Sequence, residues 1–313
     1  MTDPYRIVFM GTPEFAVPAL QALHESEYPV VAVVTNPDRP RGRGRKMVSS
    51  PVKQAANRWG YDVLQPRSGK DPWLRERLET LRPDLLVVVA YGQILPSSVL
   101  KIPRVGAINI HASLLPKYRG PAPIQWAIIN GDRQAGVTTM WMAEGMDTGD
   151  ILLQDQVTID PQETSGSLHR KLAEKGAKLV IETLHRLASG DLSATPQDES
   201  QVTYAPILKK EDGHIDWSRP AEAIEHLVRG INPWPGAFTF LFGKRLKVFS
   251  AEARKRQVPE RPGTVLEGFP GDLEVSAGEG VLLLKEVQFE SGKRLSADAF
   301  VRGCPVPPGT TLS

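Results

Sequence analysis

The chain has 313 residues, 41% hydrophobic and 24% charged, which suits two domains with packed cores and excludes a disordered chain. Its formal net charge is only +2, and a single cysteine, Cys304, excludes a disulfide framework and a cysteine-built zinc site. The six histidines lack metal-ligand spacing and no apolar run approaches the ~20 residues of a membrane span, so the expectation is a cytoplasmic protein with no metal.

In chain order, residues 5–10 form an apolar run that reads as a strand, followed by Gly11-Thr12-Pro13. Thr12 is a capping residue type and Pro13 suits a first helical turn, which predicts a helix over 13–26. The β-branched run 30–35 is the next strand, so the chain opens as one strand–helix–strand unit of a parallel sheet. Residues 36–51 read as a long polar loop, and 51–59 and 74–81 as helices. Strands follow at 85–90, 107–110, 137–142 and 151–159, then a long helix over 164–187 with Leu168, Leu172, Leu179, Val180, Leu184 and Leu187 on one face. This alternation predicts an α/β domain over 1–188 with a doubly wound, mostly parallel sheet. Residues 189–207 are polar and without periodicity and read as a linker. Beyond them Ile224, Leu227, Val228 and Ile231 mark a helix over 221–231. Short strands at 237–242, 245–250, 263–267, 273–277 and 281–289 then predict a small antiparallel barrel within 208–313.

Three familiar sites are missing. The first strand–helix turn lacks the further glycines of a dinucleotide fingerprint, and the chain has neither a phosphate-loop motif nor a hydrolase nucleophile elbow. The chemistry must come from other residues. Asn109 and His111 stand two apart at the end of a strand, so their side chains share a face at the sheet edge where open α/β folds bind ligands. An amide donor beside an imidazole suits a tetrahedral oxyanion, while a capping Asn and a satisfied His would give the same spacing. Asp147, between Gly145 and Gly149, is either an Asx-turn residue or the carboxylate that orients His111. The proline-bearing loop after His111 is either a stiff ligand wall or a plain connection. Arg39, Arg41, Arg43, Arg45 and Lys46 fall within eight residues that hold no acid, which reads either as a solvated loop or as a phosphate-binding feature.

Taken together, Asn109-Ile110-His111, Ser113-Leu114-Leu115-Pro116 with Tyr118-Arg119-Gly120, and Asp147-Thr148-Gly149-Asp150 resemble the formyltransferase family that uses 10-formyltetrahydrofolate. The likeness extends through Gly11-Thr12-Pro13-Glu14-Phe15-Ala16, the arginine-rich loop, Ile215-Asp216-Trp217 and Asn232-Pro233-Trp234-Pro235-Gly236-Ala237, and fades over 301–313. The resemblance implies a Rossmann-like first domain and an OB-like barrel that binds tRNA. It implies Asn109, His111 and Asp147 as catalytic residues, and Ser113, Leu114, Leu115 and Pro116 against the folate. It further implies that Arg39, Arg41, Arg43, Arg45 and Lys46, with Lys210, meet an initiator methionyl-tRNA, the formyl acceptor. A monomer is expected. A small amine such as an amino sugar is the alternative acceptor.

Overall fold

The structure, a computed structural model, describes residues 4–41, 44 and 46–313, and only the backbone at Arg41 and Lys46. It divides into two compact units, one of Met1–Gly120, Ala135–Val157 and His169–Ala205, the other of Pro121–Gln134, Thr158–Leu168 and Pro206–Ser313. The expected domains were continuous stretches. The division differs because Ala122 and Ile129 bury their apolar surface in the same core as Ile224 and Val228, which draws a segment of the first half into the second unit.

In the first unit the chain runs β1 (Ile7–Gly11), α1 (Val17–His24), β2 (Val30–Val34), β3 (Arg39–Arg41), β4 (Lys46–Val48), α2 (Pro51–Arg58), β5 (Val63–Leu64), α3 (Pro72–Leu81), β6 (Leu85–Val89), α4 (Ser97–Leu100) and β7 (Gly106–His111). After α5 (Pro123–Ile129), in the second unit, follow β8 (Gln134–Trp141), β9 (Ile151–Thr158) and α6 (Ser165–Ser189). The sheet order is β5-β2-β1-β6-β7-β8-β9. The first five strands pair in parallel and β8 pairs antiparallel to β7. Every residue of β1 and β6 is buried, as expected of central strands covered on both faces. The chain winds outward on both sides of β1, so the order reverses between β1 and β6, and that crevice is where such sheets bind ligands.

Two local expectations change here. A 3₁₀ turn, Glu14–Ala16, precedes α1, and Thr12 does not cap it. Thr12 Oγ1 instead donates to the Tyr91 carbonyl at 3.1 Å, joining the loops that follow β1 and β6. The expected loop 36–51 contains the antiparallel hairpin β3–β4, with Arg39 opposite Val48 and Arg41 opposite Lys46. Its base is fastened by Asp38, whose carboxylate accepts from Lys53 Nζ at 2.8 Å, Gln65 Nε2 at 3.0 Å and Ser49 Oγ at 3.2 Å. Those hydrogen bonds, the one from Lys53 foremost, hold the Asp38 carboxyl below its ordinary range.

In the second unit, α7 (Ala221–Gly230) precedes β10 (Ala237–Leu241), β11 (Lys244–Arg254), β12 (Leu273–Ser276), β13 (Val281–Phe289), β14 (Leu295–Ser296) and α8 (Ala297–Gly303). The sheet order is β10-β11-β13-β12, with β14 on β13, all antiparallel. Register shifts around Ser250 bend the long strand β11, curling the sheet into a half-barrel of OB-like form. Residues 263–267 are not a strand of this sheet. They make only single bridges, Thr264 to Thr311 and Val265 to Val275. The core gathers Ile224, Leu227 and Val228 of α7 with Leu246, Val248, Leu282 and Leu284. Trp217 lies in it and donates its indole N–H to Thr239 Oγ1 at 3.0 Å. Among the described residues no helix is long and apolar enough to cross a membrane.

Candidate active site

Asn109 and His111 are the fourth and last residues of β7, with Asn109 in register with Val88 on β6 and Met140 on β8. The two side chains share a face at the carboxyl end of the parallel strands, next to the β1–β6 crevice. His111 is buried, whereas Asn109 is half-buried. Among the described residues the Asn109 amide has no hydrogen-bond partner, so its N–H groups are available to a ligand. His111 is hydrogen-bonded at one ring nitrogen and faces a carboxylate with the other. Its Nε2 lies 2.9 Å from the Tyr118 carbonyl oxygen, which can only accept, so Nε2 carries a proton. Its Nδ1 lies 3.6 Å from Asp147 Oδ2.

Asp147 reaches that position from the turn between β8 and β9. Its backbone is left-handed, with φ 53°, a conformation that few non-glycine residues adopt and that Asp tolerates best. The neighbouring Gly149 is a steric necessity, since a Cβ there would stand 1.7 Å from the Trp141 carbonyl oxygen. Asp147 Oδ2 accepts from the Gly120 N–H at 2.8 Å. Among the described residues no hydrogen bond to Oδ1 is present.

The loop after β7 is stiffened from within. Ser113 Oγ donates to the Lys117 carbonyl at 2.6 Å, the Ser113 carbonyl accepts from Thr138 Oγ1 at 2.6 Å, and the Leu115 carbonyl accepts from Gln154 Nε2 at 2.9 Å. Ser113 and Leu115 are thereby buried and turned into the protein, while Leu114 and Pro116 keep partial exposure. The loop's far end, 118–120, pairs with a segment read as linker from the sequence. Tyr118 N–H donates to Thr203 Oγ1 at 2.9 Å, Arg119 N–H to the Thr203 carbonyl at 2.9 Å, and Ala205 N–H to the Arg119 carbonyl at 2.8 Å. Residues 189–205 are therefore not a free tether. Thr195 also bridges Ile151 of β9.

Two further residues, Arg119 and Gln197, belong to this neighbourhood. Arg119, 2% exposed, sends its guanidinium to Gln197 and Glu199 and holds the Glu199 carboxyl below its ordinary range. Gln197 lies between Arg119 and the Asp147 turn. An arginine in a short motif was visible, but polar residues in an aperiodic stretch give no signal of where they fold back.

The structure thus brings Asn109, His111 and Asp147 together, with the 113–120 loop alongside. Of the basic run, Arg39 is exposed on β3, at the same carboxyl edge of the sheet. Arg43 and Arg45 lie outside the described residues, and Arg41 and Lys46 are described by backbone alone. Lys210 is exposed in the second unit, beside the 3₁₀ turn Glu211–Gly213. Past β6, Ala90 and Gly92 have positive φ and the Tyr91 carbonyl accepts from Asn36 Nδ2 at 3.0 Å, so this loop closes one side of the crevice. Among the described residues no group of three or more His, Cys, Asp or Glu could hold a metal ion.

Comparison with known proteins identifies the family. Residues 5–184 match the formyl transferase model and residues 207–305 the model of the formyl transferase C-terminal domain. The chain is 49% identical over 306 residues to the methionyl-tRNA formyltransferase of Syntrophus aciditrophicus, covering 98% of each chain. It is 49% identical over 308 residues to that of Caldanaerobacter subterraneus, covering 98% of this chain and 99% of the relative. Among solved structures, the N-formyltransferase of Helicobacter canadensis, bound to folinic acid and dTDP-3-aminofucose, shares the fold with a TM-score of 0.69 at 17% identity, over 93% of this chain and 100% of that one. With residues 5–184 and 207–305 matched by formyl transferase models and 49% identity to such relatives over 98% of the chain, the chain belongs to the methionyl-tRNA formyltransferase family.

Proposed function

We propose that the protein transfers the formyl group of 10-formyltetrahydrofolate to the α-amino group of methionine on initiator methionyl-tRNA. Full-length identity of 49% to relatives of that name carries this reading, and the Asn109–His111–Asp147 geometry is consistent with it. An amino-sugar acceptor has only a likeness of fold behind it, at 17% identity. Both substrates are water-soluble, which suits the cytoplasm, and one chain supplies all three candidate catalytic residues, which suits a monomer.

The neutral amine attacks the formyl carbon. A C–N bond forms as the carbonyl electrons move onto oxygen, and the Asn109 amide N–H donates to that oxyanion. Asp147 takes the proton that the amine loses, at Oδ1, and returns a proton to folate N10 as the C–N10 bond breaks. The products are formylmethionyl-tRNA and tetrahydrofolate. His111 plays a different part from that of a plain oxyanion donor. Its Nε2–H is committed to the Tyr118 carbonyl, which fixes the ring with Nδ1 facing Asp147 Oδ2 at 3.6 Å, so the imidazole sits against the proton carrier.

For the folate, Leu114 and Pro116 are the members of the 113–116 set with surface left to offer, and the loop beyond β6 forms the opposite wall. For the tRNA, the arginine-rich segment 39–46 and Lys210 supply phosphate contacts, which set register and orientation. The test is formyl transfer from 10-formyltetrahydrofolate to initiator and elongator methionyl-tRNA, by the native chain and by Asp147→Asn. Transfer to the initiator tRNA, lost in Asp147→Asn with folate binding kept, is the expected result. Transfer to neither tRNA by a chain that binds the folate would point to a small amine acceptor.

A further inference from the structure

Gln197 uses every hydrogen-bonding position of its side-chain amide. Its Nε2 donates to the carbonyls of Asp147 and Gly149, both at 2.7 Å. Its Oε1 accepts from Arg119 Nε at 3.0 Å and Nη2 at 2.9 Å. An amide has two donors and two acceptor sites, and this one has all four filled, which also fixes which way it points. A flipped amide would set N–H against guanidinium and oxygen against two carbonyls.

The bonds close a ring. From the Asp147 carbonyl the path runs to Gln197, to the Arg119 guanidinium, through the Arg119 backbone to Gly120, and from the Gly120 N–H back to Asp147 Oδ2. Both ends of Asp147, carbonyl and carboxylate, are thus tied to the same short segment. That segment also presents the Tyr118 carbonyl that holds His111 Nε2. The left-handed backbone of Asp147 gives the ring its purpose, because a short turn at φ 53° has other wells to relax into once its carbonyl is released.

We propose that Gln197 is a positioning residue for formyl transfer, holding the Asp147 carboxylate toward the reacting centre by clamping its backbone to buried Arg119. The proposal rests on the reading of Asp147 as the proton carrier. A displacement of about 1 Å at a reacting group can cost ~10²-fold in rate, which is the scale of effect to look for.

Two variants and one control test it. Gln197→Met keeps the side-chain length and removes all four hydrogen bonds. Gln197→Glu keeps a partner for Arg119, and so keeps that buried guanidinium paired, but replaces the two donors with an acceptor facing two carbonyls. Steady-state kinetics with 10-formyltetrahydrofolate and initiator methionyl-tRNA are read beside thermal melting, all well below Tm, with Asp147→Asn as control. The expected result is a kcat lower by roughly 10- to 100-fold in both variants, with KM for each substrate within about threefold of the native value. A kcat within twofold of native in Gln197→Glu, while Asp147→Asn is inactive, would overturn the proposal. So would a KM for folate that rises with kcat unchanged, since the brace would then shape the binding wall and not the proton carrier. If Gln197→Met proves too unstable to assay, Gln197→Glu alone decides. Near-native turnover in Asp147→Asn would overturn the reading of the site itself, a distinct outcome whatever the Gln197 variants do.

Discussion

Asn109 and Gly149 bear on the candidate site in two different ways. Asn109 offers an unpartnered amide at a strand end. Replacing it with Ala removes a donor without disturbing an internal hydrogen bond, so Asn109→Ala should fold normally and lose about 10²–10³-fold in kcat, read by single-turnover transfer. Retention of more than a tenth of native kcat would take Asn109 out of the reaction. Gly149 acts through what it lacks. The Trp141 carbonyl oxygen 1.7 Å from the position of its missing Cβ can yield only by backbone movement, and the Gln197 hydrogen bond to the Gly149 carbonyl would move with it. Gly149→Ala should lower stability by about 1–3 kcal/mol in urea melts and reduce turnover as well. An unchanged urea midpoint would mean that the turn has slack the structure does not display.

At the scale of elements, α6 and the β3–β4 hairpin make opposite use of charge. His169 near the start of α6 packs edge-on against Phe15 with ring centroids 5.1 Å apart. Burial, helped by the positive charge of Arg170, pulls the His169 imidazole below its ordinary value. A His pKa lower in the folded chain means that the unfolded chain binds more protons, so stability rises with pH in that window. The contribution is complete above the unfolded pKa of about 6.5 and is lost as pH falls through the folded value. Urea melts between pH 7.5 and 5 should therefore show a slope that is shallower in His169→Asn. The hairpin relies on an ion pair instead. Asp38 gathers Lys53, Gln65 and Ser49 at its base, and these keep the carboxylate ionised into mild acid. In Asp38→Asn the acceptor for Lys53 weakens and the hairpin is less well held. The expected outcome is a several-fold rise in KM for tRNA with KM for folate unchanged, and equal effects on both would place Asp38 in the sheet's general stability.

For the whole molecule, the distinctive feature is a nearly neutral chain that concentrates its positive charge. Net charge is +2, yet five basic residues fall within positions 39–46 with no acid among them. If that segment neutralises tRNA phosphates, KM for tRNA should climb steeply with potassium chloride while KM for folate stays flat. Each lost phosphate contact should flatten the log–log slope by about 0.9. Arg39→Ala and Arg43→Ala, compared between 50 and 200 mM salt by steady-state kinetics, read this directly. A slope unchanged by both would return the segment to a solvated loop.

Most strands, the long helix and the shared face of Asn109 and His111 were legible in the sequence, because each leaves a local trace. Continuous apolar runs mark buried parallel strands, an apolar face marks α6, and an i, i+2 pair at a strand end shares a face by geometry alone. Residues whose roles depend on distant partners leave no such trace. Thr12 looks like a helix cap but bonds to Tyr91, 79 positions away. Ser113, expected against the folate, donates its hydroxyl within its own loop to the Lys117 carbonyl. Gln197 and Thr203 lie in a stretch that reads as linker, yet they pair with the Asp147 turn and the 118–119 backbone, some 50 and 85 positions away. α5 joined the second unit because its apolar face found α7 there, a choice made by packing across the chain. Periodicity determined most of the strands and helices, and the resemblance carried by the motifs pointed to the candidate chemistry at the sheet edge. The bracing of that chemistry was decided only by tertiary structure, since a polar side chain's hydrogen-bond partner is set by where the folded chain returns, and not by its neighbours in sequence.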